Sequence, residues 1–525
     1  MIIDDQHYDL IIIGTGAGGG TLAHKLAATG KKILILERGD FLPQEAENWD
    51  TTEVFRKERY HPNEQWFDNA GEPFRPQTNY CVGGNTKVYG AALLRMRERD
   101  FEEVKHQNGV SPAWGLKYAD FEPYYTEAER LYQVHGGQPE SDPTEPHHSS
   151  SYECPPISHE PRMQEICQSI ASQGLHPFHL PLALKLNEAD RDQSTCIRCD
   201  TCDGYPCKVH AKADTEITGI RPALDYPNVT LKTNAKVLYL HTNESGREVK
   251  AIQAEVNGQR YLFAGHLFVV ACGAVNSAAL LLRSTNDKHP NGLANSSSQV
   301  GRNFMKHLIS AVVQISPTAN PSIYPKTIAV NDFYWGEAGY PYPMGHIQNT
   351  GKIHQEMIPG EAPPLLSIVS RLMPGFSLRQ LATHATGWWL QTEDLPNSKN
   401  QVRVVGDKLY LDYTPNNTDA HDRLVYRWTE VLKAVDKSAE HTALRRGLYP
   451  RSDEPIQVVA NQCGTCRFGE DPATSVLDLN CRTHDVDNLY VVDGSFFPSN
   501  AGVSPALTIM ANALRVGDHL RDRLK

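Results

Sequence analysis

The sequence predicts an α/β fold of Rossmann type. Three observations carry that expectation: a buried strand that runs into a glycine turn, a helix opened by the turn, and a second buried strand ending on an acid. Asp9-Leu10-Ile11-Ile12-Ile13 is a short apolar run with the character of a strand covered on both faces. Gly14-Thr15-Gly16-Ala17-Gly18-Gly19-Gly20 follows, then a helix-like segment from Thr21 to Thr29, ended by Gly30. Ile33 to Leu36 reads as the second strand and closes on Glu37 and Arg38. Gly14 permits the tight turn, Gly16 lets a pyrophosphate approach the backbone, and Gly19 lets the helix pack on the sheet. The positive end of the helix faces the phosphates, and the Glu37 carboxylate is placed to bond a ribose hydroxyl. This is the order of elements that a dinucleotide site requires.

Length and composition fit. A chain of 525 residues has core material for two large domains or one elaborated domain. A hydrophobic share of 40% with 22% charged residues is that of an ordinary globular protein. The formal net charge of −11 argues against nucleic acid and anionic membrane as partners. No apolar run approaches the roughly 18–20 residues of a membrane span. The first strand begins within ten residues of Met1, which leaves no room for a signal peptide and predicts a cytoplasmic protein. Gly137 to Ser151, rich in Pro, Ser, Asp and His, reads as a surface loop.

No second nicotinamide-type site follows, which turns the expectation toward a flavin. The far end supports it. Asn488 to Ser495 reads as a strand ending on Asp493-Gly494, and Val503-Ser504-Pro505 opens a helix reaching about Leu524, with Ser504 suited to the N-cap and Pro505 to N1. Between the ends stand Val82-Gly83-Gly84-Asn85-Thr86, Val270-Ala271-Cys272-Gly273-Ala274 with Ser277 to Ser284, Val300-Gly301-Arg302-Asn303, and Gly464-Thr465-Cys466-Arg467-Phe468-Gly469. In this order the pieces resemble the glucose–methanol–choline (GMC) family of FAD oxidoreductases over nearly the whole chain.

That resemblance implies a three-layer FAD-binding domain assembled from 6–110, 195–307 and 456–525. It also implies an α+β substrate-binding domain from 111–194 and 308–455, built on an antiparallel sheet. Residues 400–413 alternate around Gly406-Asp407 and read as a hairpin. By position, Val237 should touch the adenine through its backbone and Asp493 should sit by the ribityl chain or pyrophosphate. The cofactor contacts implied are Gly14 to Gly19, Glu37, Arg38, Gly83 to Thr86, Val237, Cys272, Gly273, Asp493, Gly494, Val503 and Pro505. The positive end of the terminal helix would stabilise negative charge at the pyrimidine edge of reduced FAD. Relatives that bind FAD covalently through histidine carry it five residues after the first glycine of the Gly83-Gly84 turn. Here that position is Val88, so FAD is expected to be bound non-covalently.

The expected chemistry is transfer of a hydride from a carbinol carbon of an alcohol, sugar or aromatic alcohol to flavin N5 while a base takes the hydroxyl proton. The family's usual histidine, three residues before Gly-Thr, falls on Asn461, and its usual His or Asn ahead of the terminal helix falls on Ser504. A neutral imidazole accepts a proton near neutral pH. An amide and an unactivated hydroxyl orient or polarise through hydrogen bonds. Asn461 and Ser504 are expected to line the catalytic pocket. The proton acceptor is open among His307, His346, His354, His384 and water, and the alternative is a divergent flavin reaction such as a lyase, a light-driven decarboxylation or another oxidation. The electron acceptor, oxygen or a quinone or protein carrier, leaves no mark in the sequence.

Cys196, Cys199, Cys202 and Cys207 are separated by two, two and four intervening residues. The run resembles an iron–sulfur ligand set, and some bacterial sugar-dehydrogenase relatives carry a three-iron cluster in a comparable region. Its spacing departs from the ferredoxin pattern, so the reading taken is structural thiols or local disulfides without a metal, disulfides being disfavoured in a reducing cytoplasm, and the four cysteines are kept as candidate ligands. Cys463 and Cys466 form a second Cys-x-x-Cys beside the expected active site, a redox pair or two structural thiols. Trp388-Trp389 could wall a substrate site or pack the domain interior.

Overall fold

The computed structural model describes residues 1–138, 141–358, 375–437 and 447–525. A seven-stranded sheet carries the nucleotide-binding half. Its parallel part runs in the order Val229–Lys232, Ile33–Leu36, Ile2–Ile13, Gln259–Val270, with Leu489–Val491 on the far edge of the last. Val249–Val256 and Ala235–Thr242 extend the sheet antiparallel. Leu10 to Ile13 and Ile33 to Leu36 are buried on both faces, as continuous Ile/Leu runs require in a parallel sheet. The first strand is longer than the sequence predicts, because Ile2 and Ile3 pair with Tyr261 and Leu262 across an irregularity before His7.

The first helix, Ala17–Ala27, starts directly after Gly16, so three glycines lie inside it rather than ahead of it. Close packing requires them. A Cβ on Gly18 would lie 1.7 Å from the Val492 carbonyl oxygen, and one on Gly19 would lie 2.1 Å from that of Gly14. The helix is flanked by Tyr118–Leu131 and the terminal helix Ala506–Arg523, and hydroxyl bonds tie the three together: Thr21 to Tyr132 at 2.6 Å and Tyr125 to Thr508 at 2.8 Å.

A second, six-stranded sheet is antiparallel throughout. Its central strand, Ala385–Thr392, lies between Leu308–Ile315 and His346–Asn349. Alternation gives it two different faces. Val312, Ile347, Trp388 and Leu390 turn inward and pack on Leu424, Trp428 and Leu432 of the helix Thr418–Lys437. Ile309, Gln348, Trp389 and Gln391 turn toward the nucleotide-binding half. Trp388 is therefore core, its ring 4.8 Å from that of Trp428, although it also borders the cavity that the half-buried Trp389 faces.

The expected hairpin forms as Gln401–Val405 and Lys408–Asp412. It joins Trp66–Phe67 and Pro73–Phe74 in a separate four-stranded sheet, not the six-stranded one. The expected surface loop at 137–151 is corrected in part. Asp142 is buried, because its carboxylate pairs with Arg97 at 2.6 Å; Pro139 and Glu140 lie outside the described residues. Among the described residues no helix is long and apolar enough to cross a membrane.

Candidate active site

A cavity of about 2010 Å³ runs from the glycine turn to the open face of the six-stranded sheet. It exceeds the roughly 300–1,000 Å³ of a site for one drug-sized ligand, so it has room for a dinucleotide together with a substrate. Its walls fit a dinucleotide at one end. Gly14 stands at φ +102°, which only glycine adopts without strain, and a Cβ there would lie 2.3 Å from the Ala271 carbonyl oxygen. At Gly16 a Cβ would meet no protein atom within 4 Å, which leaves the space a pyrophosphate needs beside the backbone. The Gly83-Gly84 turn closes the other side, where a Cβ on Gly84 would lie 3.3 Å from the Gly16 Cα.

Of the expected contact residues, Gly14, Thr15, Gly16, Ala17, Gly18, Glu37, Arg38, Gly84, Asn85, Thr86, Val237, Cys272, Gly273, Asp493, Gly494 and Pro505 line this cavity, and so does Val88. Gly19, Gly83 and Val503 do not. Gly19 is consumed in packing on Gly14, the Gly83 N–H donates to Thr15 Oγ1 at 3.0 Å, and Val503 is fully buried.

Two carboxylates brace the turns. Glu37 Oε2 accepts from the N–H and the hydroxyl of Thr15 at 3.1 and 2.6 Å, and Oε1 accepts from the Gly39 N–H at 3.0 Å. With three donors on about four lone-pair sites, one position stays free for a ribose. Asp493 is saturated: Oδ2 takes the Gly273 N–H and Ser277 Oγ, and Oδ1 takes the Ser495 N–H and Oγ. Its work is to shape the wall. Burial pushes both carboxyls above the usual range against these bonds. Arg38 stacks on Tyr80, 3.5 Å from the ring centroid, beside Lys236 and Val237.

At the other end Asn461 and Ser504 share the cavity wall, both half-buried. Among the described residues no protein group bonds the Asn461 side chain, so its amide is free for a ligand. Ser504 is not the helix cap that the sequence predicts. The helix begins at Ala506 with Pro505 in the cap position, and Ser504 Oγ donates to Gln391 Oε1 at 3.1 Å. Gln391 Nε2 is left buried without a partner.

The four histidines weighed from the sequence do not line the cavity. His307 bonds the Asn500 carbonyl, His346 bonds Asn331, His354 bonds the Asp200 carbonyl and His384 bonds the Ser316 carbonyl. Burial holds His307 and His346 down at about 4. His61 is, among the described residues, the histidine that does line it. Its Nδ1 makes no hydrogen bond, Glu58 Oε1 lying 4.0 Å away, and burial lowers its pKa against the pull of Glu58, so the ring is neutral and able to accept a proton. Sequence reasoning missed it because no motif surrounds it.

All eleven cysteines are free thiols. Cys196, Cys199, Cys202 and Cys207 line one small cavity of about 10 Å³, and among the described residues no group of His, Cys, Asp and Glu is arranged to hold a metal ion. Burial pushes Cys196 up to about 11 and Cys202 to about 12, keeping both protonated. Cys463 and Cys466 are fully buried with raised pKa values, which favours structural thiols over a redox pair.

The two family models for GMC oxidoreductases match residues 9–309 and 396–513. The chain is 31% identical to the 6'''-hydroxyparomomycin C oxidase of Streptomyces lividus, over 99% of its own length and 92% of the relative's. It is 30% identical to the paromamine 6'-oxidase of Streptomyces fradiae, over 98% and 91%. Among solved structures, pyridoxine 4-oxidase from Mesorbium loti superposes with a TM-score of 0.66 at 17% identity, covering 98% of this chain and 99% of that one, which extends the likeness of fold to both halves. With the nucleotide turn, the two sheets and both family segments in register, the chain belongs to the GMC oxidoreductase family.

Proposed function

We propose that this enzyme, which acts on CH–OH donors as its family does, holds FAD without a covalent bond and oxidises the carbinol carbon of an alcohol, sugar or aromatic alcohol. The observation that carries the reading is the single cavity that joins the Gly14–Gly18 turn to Asn461 and Ser504. GMC oxidoreductases bind FAD, which when bound supplies the hydride acceptor at N5. The chain's own residues do the rest. Gly16 and the N–H groups opening the first helix would cradle the pyrophosphate, Glu37 the ribose, and Val237 the adenine through its backbone. Asn461 and Ser504 would orient the substrate hydroxyl, and His61 or a water would take its proton. The positive end of the terminal helix, whose Pro505 and Ala506 reach the cavity, would favour the charge that builds on reduction.

Paromamine, for which one relative is named, is the first probe. Anaerobic mixing of the holoenzyme with paromamine, simple alcohols, sugars and aromatic alcohols should bleach the visible flavin band. If none does so while dithionite does, the reading fails. A second reading, a GMC fold that has left alcohol oxidation, is motivated by the amide and hydroxyl at 461 and 504. Gain of alcohol oxidation in the Asn461→His, Ser504→Asn double variant, with none in the parent, would establish it.

A further inference from the structure

Gln348 stands on the cavity face of the six-stranded sheet, opposite Trp389 and diagonal to Gln391, the partner of Ser504. Which end of its amide faces the cavity is set by a buried chain of donors behind it. Arg97 Nη2 pairs with Asp142 Oδ2 at 2.6 Å, and both side chains are 2% exposed. The same oxygen lies 2.6 Å from Asn331 Nδ2. An arginine-paired carboxylate accepts and does not donate, so the Asn331 amide nitrogen faces Asp142 and its oxygen faces His346. Asn331 Oδ1 lies 2.7 Å from His346 Nδ1, which must therefore carry the proton. Burial first, and Arg97 second, lower the His346 pKa to about 4. The ring is neutral, and its Nε2 offers a lone pair.

Nε2 meets the Gln348 amide, with Oε1 placed 3.2 Å away. Two acceptors cannot share a bond. The orientation that satisfies the chain is the reverse one, with the Gln348 NH2 donating to His346 and the carbonyl oxygen facing the cavity. We infer that Gln348 is a substrate-binding acceptor, locked by His346, that receives a hydrogen bond from a second hydroxyl or amino group of the substrate. Resting on the reading of this cavity as a carbinol-oxidising site, this narrows the substrate to polyfunctional alcohols. Diagonal positions on paired strands are about 7–8 Å apart, close to the span of one sugar ring, and the half-buried Trp389 supplies a flat wall between them.

The test compares D-glucosamine with 1-hexanol on the holoenzyme. Titration calorimetry reads binding, and anaerobic flavin reduction reads the limiting rate. Gln348→Leu and Gln348→Met should weaken glucosamine binding by about tenfold, the worth of one hydrogen bond, with hexanol unaffected and the limiting rate within about twofold. His346→Phe should produce the same sugar-specific loss, and adding Gln348→Leu to it should cost nothing more. Equal weakening of both probes, additive losses in the double variant, or no Gln348-dependent glucosamine binding would each overturn the proposal. Gln348-dependent binding without flavin reduction by any alcohol would instead keep the proposal and sink the oxidation reading.

Discussion

Ser504 Oγ donates to Gln391 Oε1 at 3.1 Å, and through this bond the residue ahead of the terminal helix reaches across to the central strand of the six-stranded sheet. One hydrogen bond thus joins the element that would face the flavin to the sheet that would face the substrate. The hydroxyl has a fixed direction without acting as a helix cap.

Ser504→Ala should therefore act on catalysis more than on folding. No capping bond is lost, and a single neutral hydrogen bond contributes about 0.5–1.5 kcal/mol to stability. Limiting flavin reduction should fall about tenfold as Gln391 and the substrate hydroxyl lose their common partner, with FAD content unchanged. Stopped-flow traces beside a thermal melt separate the two effects. A large drop in melting temperature with normal turnover would assign Ser504 to structure.

His61 should set the acid side of the pH profile. Its pKa is lowered from the ordinary value of about 6.5 by burial, so the neutral, proton-accepting ring persists below that pH. The reduction rate should hold steady from neutral pH downward and fall only below about pH 6.5. His61→Gln should remove that limb and cost on the order of a hundredfold at pH 7. An unchanged profile in the variant would pass the role to water.

The nucleotide end was legible in the sequence because backbone contact dictates it: only glycine fits where a Cβ would lie 1.7 Å from Val492 O or 2.3 Å from Ala271 O. The period of two in Ala385–Thr392 likewise separates Trp388 from Trp389 once the strand is known. What stayed hidden depends on tertiary neighbours far away in the chain. The Gln391 partner of Ser504 comes from a distant stretch of the chain, and the same is true of the Arg97–Asp142 pair behind Asn331 and His346. His61 reaches the cavity from a segment with no regular pattern. Asp493 was expected by position beside the ribityl chain or pyrophosphate, and the four protein donors that occupy its oxygens could not be seen from one strand and one turn.

Asp100 should make stability depend on pH. Its carboxyl is buried, accepts from the Tyr334 hydroxyl at 2.8 Å and the Arg97 N–H at 2.7 Å, and is pushed up to about 7, burial being the main cause. Between its ordinary value near 3.8 and about 7 the folded protein holds a proton that the unfolded chain has released. This contribution to stability therefore falls as pH rises through that window, and the loss is complete above it. Asp100→Asn mimics the protonated form, so its stability relative to the parent should improve from pH 5 to pH 8, by a few kcal/mol at most. Urea titrations at the two pH values measure this. A difference that is flat with pH would show that the carboxyl titrates normally.

The cofactor itself gives the prediction on which the functional reading most depends. The purified protein should be yellow, and acid precipitation should release FAD into the supernatant, because Val88 lines the cavity where covalent relatives carry histidine and its side chain offers no nucleophile. Flavin that stays with the precipitate would overturn non-covalent binding. Glu37→Ala removes the brace on Thr15 and Gly39 together with the free lone pair toward the ribose, so FAD affinity should fall on the order of tenfold to a hundredfold. Glu37→Gln separates the two roles. Its amide oxygen can still accept from Thr15, but its NH2 cannot accept from the Gly39 N–H, so the turn should be only partly weakened while the charge-assisted ribose bond is lost. If Gln binds FAD as tightly as Glu while Ala does not, the carboxylate serves the turn alone. If Gln falls as far as Ala, the charge at the ribose is what holds the cofactor.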